Sequence, residues 1–370
     1  MGGKSAPAGS AGSADTEMQS LGRLREADRP VSRPCSAARL YKLVSRPHFP
    51  TICSSEPAFS KHLLPTMPIP EYKDTGAIDL PAKLSLEVLR GKSVVITGGG
   101  SGLGKAYAEA FCRAGAFVTI GDYDEVKGKA TAAEISPNAQ FVKCDVRNWD
   151  DQVAVFEAAV SSSPSKSVDV VIANAGVVGA DDLFKLQEPD GPPVKPDLRI
   201  LEINLLGTAY TAKLALHYFR RQPEEPSRDR CLIIKGSIAA YADQPGSPQY
   251  NMSKWGARGL FRNLRRTAWK EGIRVNLTAP WYVHTPILPA KVIEYLRSKG
   301  VNFASVPDCV QAMLYIASNR HVNGRAFGIV PRQEAPEGYV DLGHDDYQEG
   351  DFLKDWEAIV LETAQSIVEV

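Results

Sequence analysis

The 370-residue sequence offers little to a metal, a disulfide frame or a lipid bilayer. Its six cysteines (Cys35, Cys53, Cys112, Cys144, Cys231 and Cys309) are scattered, with no C-x-x-C pair. That pattern suits reduced thiols in a cytoplasmic protein better than a stapled secreted fold or a zinc site. The six histidines form no H-E-x-x-H, so no metal is expected. No run of 18 apolar residues occurs, so no transmembrane helix is expected either. Lys plus Arg and Asp plus Glu number 43 each, and with a net charge of zero no global field draws the chain to nucleic acid or an anionic membrane. What is present is an ordinary globular composition, 44% hydrophobic and 23% charged, enough for one large α/β domain plus an extension.

Composition changes near residue 67. Residues 1–66 are rich in Gly, Ala, Ser, Pro and Arg, as in "GGKSAPAGSAGSAD", and cannot bury enough apolar area to offset their ordering entropy. They are expected to be a disordered extension of open origin: a start upstream of a true start at Met67, a tail without function, or a targeting segment. Asp15, Glu17, Glu26 and Asp28 run against an organelle presequence. Ala6 stands where a myristoylation signal wants Ser or Thr.

From residue 91 the pattern alternates strand and helix. "KSVVIT", "FVTIGD", "AQFVKCDV", "SVDVVIANAG", "CLIIKGS", "IRVNLTAP" and "GRAFGIV" read as strands. Helices are expected between them, including a long one over about 197–221 and another over about 250–270. Nearly continuous apolar strands separated by helices predict an α/β, doubly wound parallel sheet of Rossmann type, a single domain with helices on both faces. That domain is expected over 67–345, with a C-terminal helical tail over 346–370.

The first strand ends in Thr97-Gly98-Gly99-Gly100-Ser101-Gly102-Leu103-Gly104. A chain turning sharply from strand to helix, with room for a pyrophosphate against the helix N–H groups, needs glycine there. Such a turn alone is weak evidence. Its flanking strand and helix strengthen it, as does Asp122 at the end of the second strand. A carboxylate there accepts both ribose hydroxyls of an adenosine and repels a 2′-phosphate, so NAD fits better than NADP.

Tyr250 and Lys254 stand four apart on a predicted helix, so their side chains share one face. Ser237 follows a strand at the end where open parallel sheets place their ligand crevice. Alone, a Tyr-x-x-x-Lys pair is an ordinary solvated pair, a serine after a strand is usually a cap, and an asparagine such as Asn204 in a helix is usually a packing amide.

Taken together, these residues resemble the short-chain dehydrogenase/reductase family over roughly 70–335. The resemblance is carried by Thr97-Gly98-x-x-x-Gly102-x-Gly104, Asp145 after the third strand, Asn174-Ala175-Gly176 after the fourth, Asn204, and Ser237 with Tyr250-x-x-x-Lys254. Within the family the chain is most similar to fungal NAD-dependent members like 15-hydroxyprostaglandin dehydrogenase, including enzymes of polyketide secondary metabolism. The resemblance implies Tyr250 as catalytic base, Ser237 orienting the reacting oxygen, and Lys254 holding the nicotinamide ribose. Asn204 would hold a water linking Lys254 to solvent. It implies cofactor contacts by Thr97, Gly98, Ser101, Gly102, Leu103, Gly104, Asp122, Asp145, Val146, Asn174, Ala175, Gly176, Val283 and Thr285. One departure is Trp281 after Pro280, where the family carries Gly; it is expected to alter the approach to the nicotinamide or to wall the pocket.

The chemistry accounts for these residue types. Oxidising an alcohol needs a base for the hydroxyl proton as hydride leaves the same carbon. Tyrosine, with a pKa of about 10, is a poor base at neutral pH, and bringing it to about 7 takes roughly 4 kcal/mol. A neighbouring ammonium and a cationic nicotinamide ring supply such a field. Substrate choice is expected in the segments 177–197 and 281–307. The second carries Trp281, Tyr282, Ile287, Leu288 and Tyr295, a wall suited to a bulky lipophilic secondary alcohol or ketone. His284 reads as part of that wall rather than an acid, and Tyr241 as a pocket or packing residue. Two rival functions stand beside this one: a carbonyl reductase using NADH or NADPH, and a dinucleotide-binding scaffold without turnover. A homodimer or homotetramer is expected through the helices around Asn204 and Tyr250.

Overall fold

A computed structural model describes residues 72–73, 77–78, 80, 84–135, 137–183, 190–223, 225 and 228–365. The extension expected over 1–66 lies outside the described residues. Short runs of branched apolar residues form eight strands: β1 (Ser93–Thr97), β2 (Phe117–Asp122), β3 (Ala139–Lys143), β4 (Val170–Ala173), β5 (Arg230–Lys235), β6 (Ile273–Pro280), β7 (Ala326–Ile329) and β8 (Tyr339–Asp341). Their order across the sheet is β3-β2-β1-β4-β5-β6-β7-β8. All neighbours pair in parallel except β7 and β8, which are antiparallel, with Phe327 opposite Asp341. The expected doubly wound parallel sheet is present, with one antiparallel edge strand added: β8 is too short to show alternation in the sequence, and it returns through a turn at Gly338 (φ +75°). β1 lies between β2 and β4, so the strand order reverses beside it and opens a crevice at the strands' carboxyl ends.

Helices cover both faces. On one, α1 (Gly102–Arg113), α2 (Glu125–Ile135) and α8 (Val306–Ser318) enclose Tyr107, Phe111, Val94, Ile96, Ile233, Met313 and Phe327. On the other, α3 (Trp149–Ser162), α5 (Gly207–Arg220) and α6 (Pro248–Leu264) enclose Val95, Phe156, Phe219, Leu232, Ile234 and Phe261. The helix expected over 197–221 is composite. α4 (Arg199–Leu201) runs through a π-helical turn, Glu202–Leu206, into α5. α7 (Ala290–Ser298) and α8 were absent from the sequence reading, although Ser305 caps α8 by accepting from Asp308 N at 3.1 Å, with Pro307 in its first turn.

The expected division between 345 and 346 falls inside a buried ion network. Asp345 accepts from Arg258 Nε at 2.6 Å, Asp346 pairs with Arg265 at 3.0 Å, and Asp341 accepts from Arg325 Nε at 2.7 Å. The Tyr72 hydroxyl donates to Asp346, its ring 4.0 Å from the Arg265 guanidinium. The helix expected from about 351 is present as α9 (Phe352–Gln365), tied through Glu357 to Arg262 of α6 at 3.1 Å and to Arg266 just beyond it at 2.9 Å.

Candidate active site

The glycine turn is built by contacts that leave no room for Cβ atoms. A Cβ on Gly104 would lie 2.0 Å from the Gly98 carbonyl oxygen, so α1 and the turn touch backbone to backbone. Asn174 stitches this turn to β4, its Nδ2 donating to the Thr97 and Gly98 carbonyls at 3.0 Å each. Thr97 Oγ1 accepts from the Asn174 and Ala175 amides at 3.2 and 3.3 Å. Thr97 and Asn174 are thus braces of the cradle. Gly98 (φ +67°) and Gly102 (φ +53°) take the left-handed backbone that opens it. Ser101 and Leu103 flank Gly102 at the start of α1, and a Cβ there would find only Thr285 and Pro286, at 3.9 Å. Val283 and Thr285 are both buried. The segment after β6 therefore lies beside the start of α1.

At the carboxyl end of β2, Asp122 accepts from the Gly100 and Asp124 amides at 2.8 Å each, which presents a fixed carboxylate beside the turn. Asp145 accepts from Arg147 Nη2 at 2.6 Å and Nε at 3.0 Å, and this pairing lowers its pKa. Arg147 had no place in the sequence reading. Val146 is buried, against the position a Cβ on Gly207 would take.

Ser237, Tyr250 and Lys254 are brought together at the end of β5. Ser237 caps a short 3₁₀ turn by accepting from Ala239 N at 3.1 Å, and its hydroxyl lies near enough to the Tyr250 phenol to act on that group's pKa. Lys254 Nζ lies 5.6 Å from the centre of the Tyr250 ring and donates to the Lys235 carbonyl at 3.2 Å. A Cβ on Gly176 would sit 3.7 Å from that ammonium. Burial lowers the Lys254 pKa to about 7, with the nearby Lys235 acting in the same direction. Burial raises the Tyr250 phenol above its ordinary value, the neighbouring Ser237 hydroxyl acting against it and Tyr282 with it.

Asn204 sits in the π-helical turn, 1% exposed. Its Oδ1 accepts from Val177 N at 2.8 Å, and its Nδ2 donates to Val177 O at 2.9 Å and Ser253 Oγ at 3.3 Å. Its side chain thus pins the segment after β4. Trp281 is partly exposed and packs on its own neighbours. Its Nε1 donates to Asn302 O at 3.0 Å and its ring meets Tyr282 edge-on at 4.8 Å, with Phe303 beyond Tyr282. Tyr241 is a packing residue, donating to Asp345 at 2.7 Å beneath the Arg258 guanidinium.

Lys235 was missed. Its Nζ donates to the Tyr107 hydroxyl at 2.7 Å, and burial lowers its pKa to about 8. The signal was available, a lysine inside the buried strand run "CLIIKGS".

A glycine-lined strand-to-helix turn at the switch point of a doubly wound sheet, together with Ser237, Tyr250 and Lys254 gathered at the end of β5, fits the class of dinucleotide-dependent oxidoreductases. The family described as short chain dehydrogenase matches residues 92–294. This chain belongs to that family, and it is an oxidoreductase of alcohol CH–OH groups that takes a nicotinamide dinucleotide. It is 39% identical to 5'-hydroxyaverantin dehydrogenase of Dothistroma septosporum over 73% of this chain and 92% of that protein. It is 36% identical to 5'-hydroxyaverantin dehydrogenase stcG of Emericella nidulans, over 72% and 90%. NADP-dependent dehydrogenase M3 of Phoma sp. is 31% identical, over 72% and 82%. Among solved structures, a 3-ketoacyl-(acyl-carrier-protein) reductase from Brucella melitensis complexed with NADH superposes with a TM-score of 0.57 at 26% identity, over 65% of this chain and 97% of that one. A short-chain type dehydrogenase/reductase from Mycobacterium marinum gives 0.59 at 23% identity, over 68% and 98%, and supports the fold alone.

Proposed function

We propose that this enzyme oxidises a bulky, lipophilic secondary alcohol to its ketone with NAD, with Tyr250 as base, in a pathway of fungal secondary metabolism. The observation that carries the reading is the convergence of Ser237, Tyr250 and Lys254 at the carboxyl end of β5, with Gly176 of the neighbouring β4 segment beside the Lys254 ammonium. The residues present fit a dinucleotide. Gly98, Gly102 and Gly104 leave the N-terminus of α1 open to a pyrophosphate, and Asp122 stands where an adenosine ribose needs acceptors. A dinucleotide held by these residues would supply the acceptor for the hydride leaving the alcohol carbon.

The chain's own residues handle the proton and the geometry. Ser237 Oγ and the Tyr250 phenol form a two-point seat for the alcohol oxygen. Tyr250 takes the hydroxyl proton, and the Lys254 ammonium stabilises the phenolate it must first become. Burial of both groups keeps their mutual field strong. Trp281, Tyr282 and Phe303 exclude water on one side and favour an aromatic or polycyclic substrate. The two hydroxyaverantin dehydrogenase relatives support such a substrate class. Exposed Met252 and Trp255 on α6, with Leu206 on the π-helical turn, support pairing of two copies through these helices.

The test mixes the purified chain with NAD⁺ and a panel of secondary alcohols, and follows NADH absorbance. Wild type should turn over the hydrophobic aromatic members best, and Tyr250→Phe should slow the reaction by about 10²- to 10⁴-fold with NADH affinity retained. A Tyr250→Phe enzyme as fast as wild type would remove the mechanism. A preference for polar sugars would remove the substrate class.

A further inference from the structure

The segment that leaves β4 and the helix that carries the base are joined by a polar staple centred on Gln249, the residue before Tyr250. Gln249 is fully buried in the first turn of α6. Ser247, at the position that caps α6, makes no side-chain capping bond. A carboxylate 68 residues earlier does so instead: Asp181 Oδ2 accepts from Gln249 N at 2.6 Å and Oδ1 from Gln249 Nε2 at 3.2 Å. A carboxylate on the exposed N–H groups of a helix start is favourable for both hydrogen bonding and the helix dipole. Asp181 is itself held, its Oδ1 also accepting from Leu183 N at 3.0 Å. From the other end of the same segment, the Asp197 carbonyl accepts from Gln249 Nε2 at 2.9 Å. Both ends of the stretch between β4 and α4 therefore converge on one buried amide. A cleft of about 330 Å³ opens alongside, lined by Val177, Ala180, Ile200 and Ile203 together with Asp182 and Asp197.

We propose that Asp181 and Gln249 are specificity-determining positioning residues. They lock the wall of this cleft to the first turn of the catalytic helix, so that a substrate filling the cleft is held in register with the Tyr250 phenol. A large substrate feels this coupling because it reaches the cleft, and a small one does not. The substrate arm of the proposal rests on the alcohol-oxidation reading; the helix-capping arm does not.

Two measurements on the full chain test it. In steady-state kinetics with saturating NAD⁺, Asp181→Ala should lower kcat/KM for 1-(2-naphthyl)ethanol about tenfold, mostly through KM, and for cyclohexanol less than about threefold. Asp181→Asn keeps an acceptor for the Gln249 amide and should recover part of the loss. Gln249→Met, which keeps the shape of the side chain but cuts both amide bonds, should reproduce the selective loss. Equal losses for the two alcohols, or none, would overturn the proposal. In hydrogen exchange, Asp181→Ala should speed exchange in the first turn of α6 by at least about tenfold while the later turns keep their protection. Unchanged exchange there would overturn it even if wild type oxidised neither alcohol, an outcome that would sink the alcohol-oxidation reading separately.

Discussion

Lys254 and Tyr250 share a helix face as their spacing requires, but burial sets their titration. An amine whose pKa falls to about 7 in the fold, from about 10.5 in the unfolded chain, is charged in both states below pH 7 and bears the full desolvation cost there. Between pH 7 and about 10 the unfolded chain binds more protons than the fold, so this residue's contribution to stability improves as pH rises. Lys235, lowered to about 8, acts with the same sign. Lys254→Met should therefore be more stable than wild type at pH 7, by about 1–3 kcal/mol, and the difference should shrink toward pH 10. Urea midpoints across that range check the sign; a constant offset would mean the ammonium is better solvated than its burial implies. Ser237, Tyr250 and Lys254 were legible because their signal is local, one helical turn and one strand end. Lys235, Asp181 and Gln249 were not, because each acquires its role from a partner distant in the chain.

Among the elements, the two segments the sequence conveyed least clearly are the ones that brace the site. The π-helical turn Glu202–Leu206 interrupts an otherwise regular helix and places Asn204 on the Val177 backbone. No spacing rule announces it, because an i to i+5 turn keeps the composition of an α-helix. β8 and the residues after it carry the acids that neutralise Arg258, Arg265 and Arg325. α9 lies outside that network and leaves Phe352, Trp356, Ile359 and Val360 exposed. Ending the chain at residue 350 removes α9 with its partly buried Glu357 pairs and the exposed Lys354–Glu349 pair, leaves the buried arginine network intact, and should cost about 1 kcal/mol or a little more. Ending it at residue 338 strands buried guanidinium groups and should cost more than about 3–5 kcal/mol, enough to prevent folding. Circular dichroism and urea unfolding of the two truncations separate the cases; a folded 338-residue chain would mean the arginines find other partners.

For the molecule as a whole, the readable property is its choice of dinucleotide, since a ligand that binds only the folded state raises the melting temperature with its concentration. With Asp122 fixed by the Gly100 and Asp124 amides, NADH should raise Tm by several degrees more than NADPH at equal concentration, and Asp122→Ser should narrow or invert the gap. A larger shift with NADPH in the wild type would reassign the cofactor and agree with the NADP-dependent relative.

The amino-acid sequence alone determined the alternation of strands and helices, the glycine turn, the acid at the end of β2 and the Tyr–Lys pair. Each is written in contacts between near neighbours, where rise per residue and side-chain period leave few choices. Only the tertiary structure decided which strand lies beside which, that Asp181 caps a helix starting 67 residues later, and that Asp345 reaches back across 104 residues to Tyr241. It also decided which amines and phenols lose their water. Those outcomes depend on long-range packing and on the low dielectric it creates, and neither has a local signature in the chain.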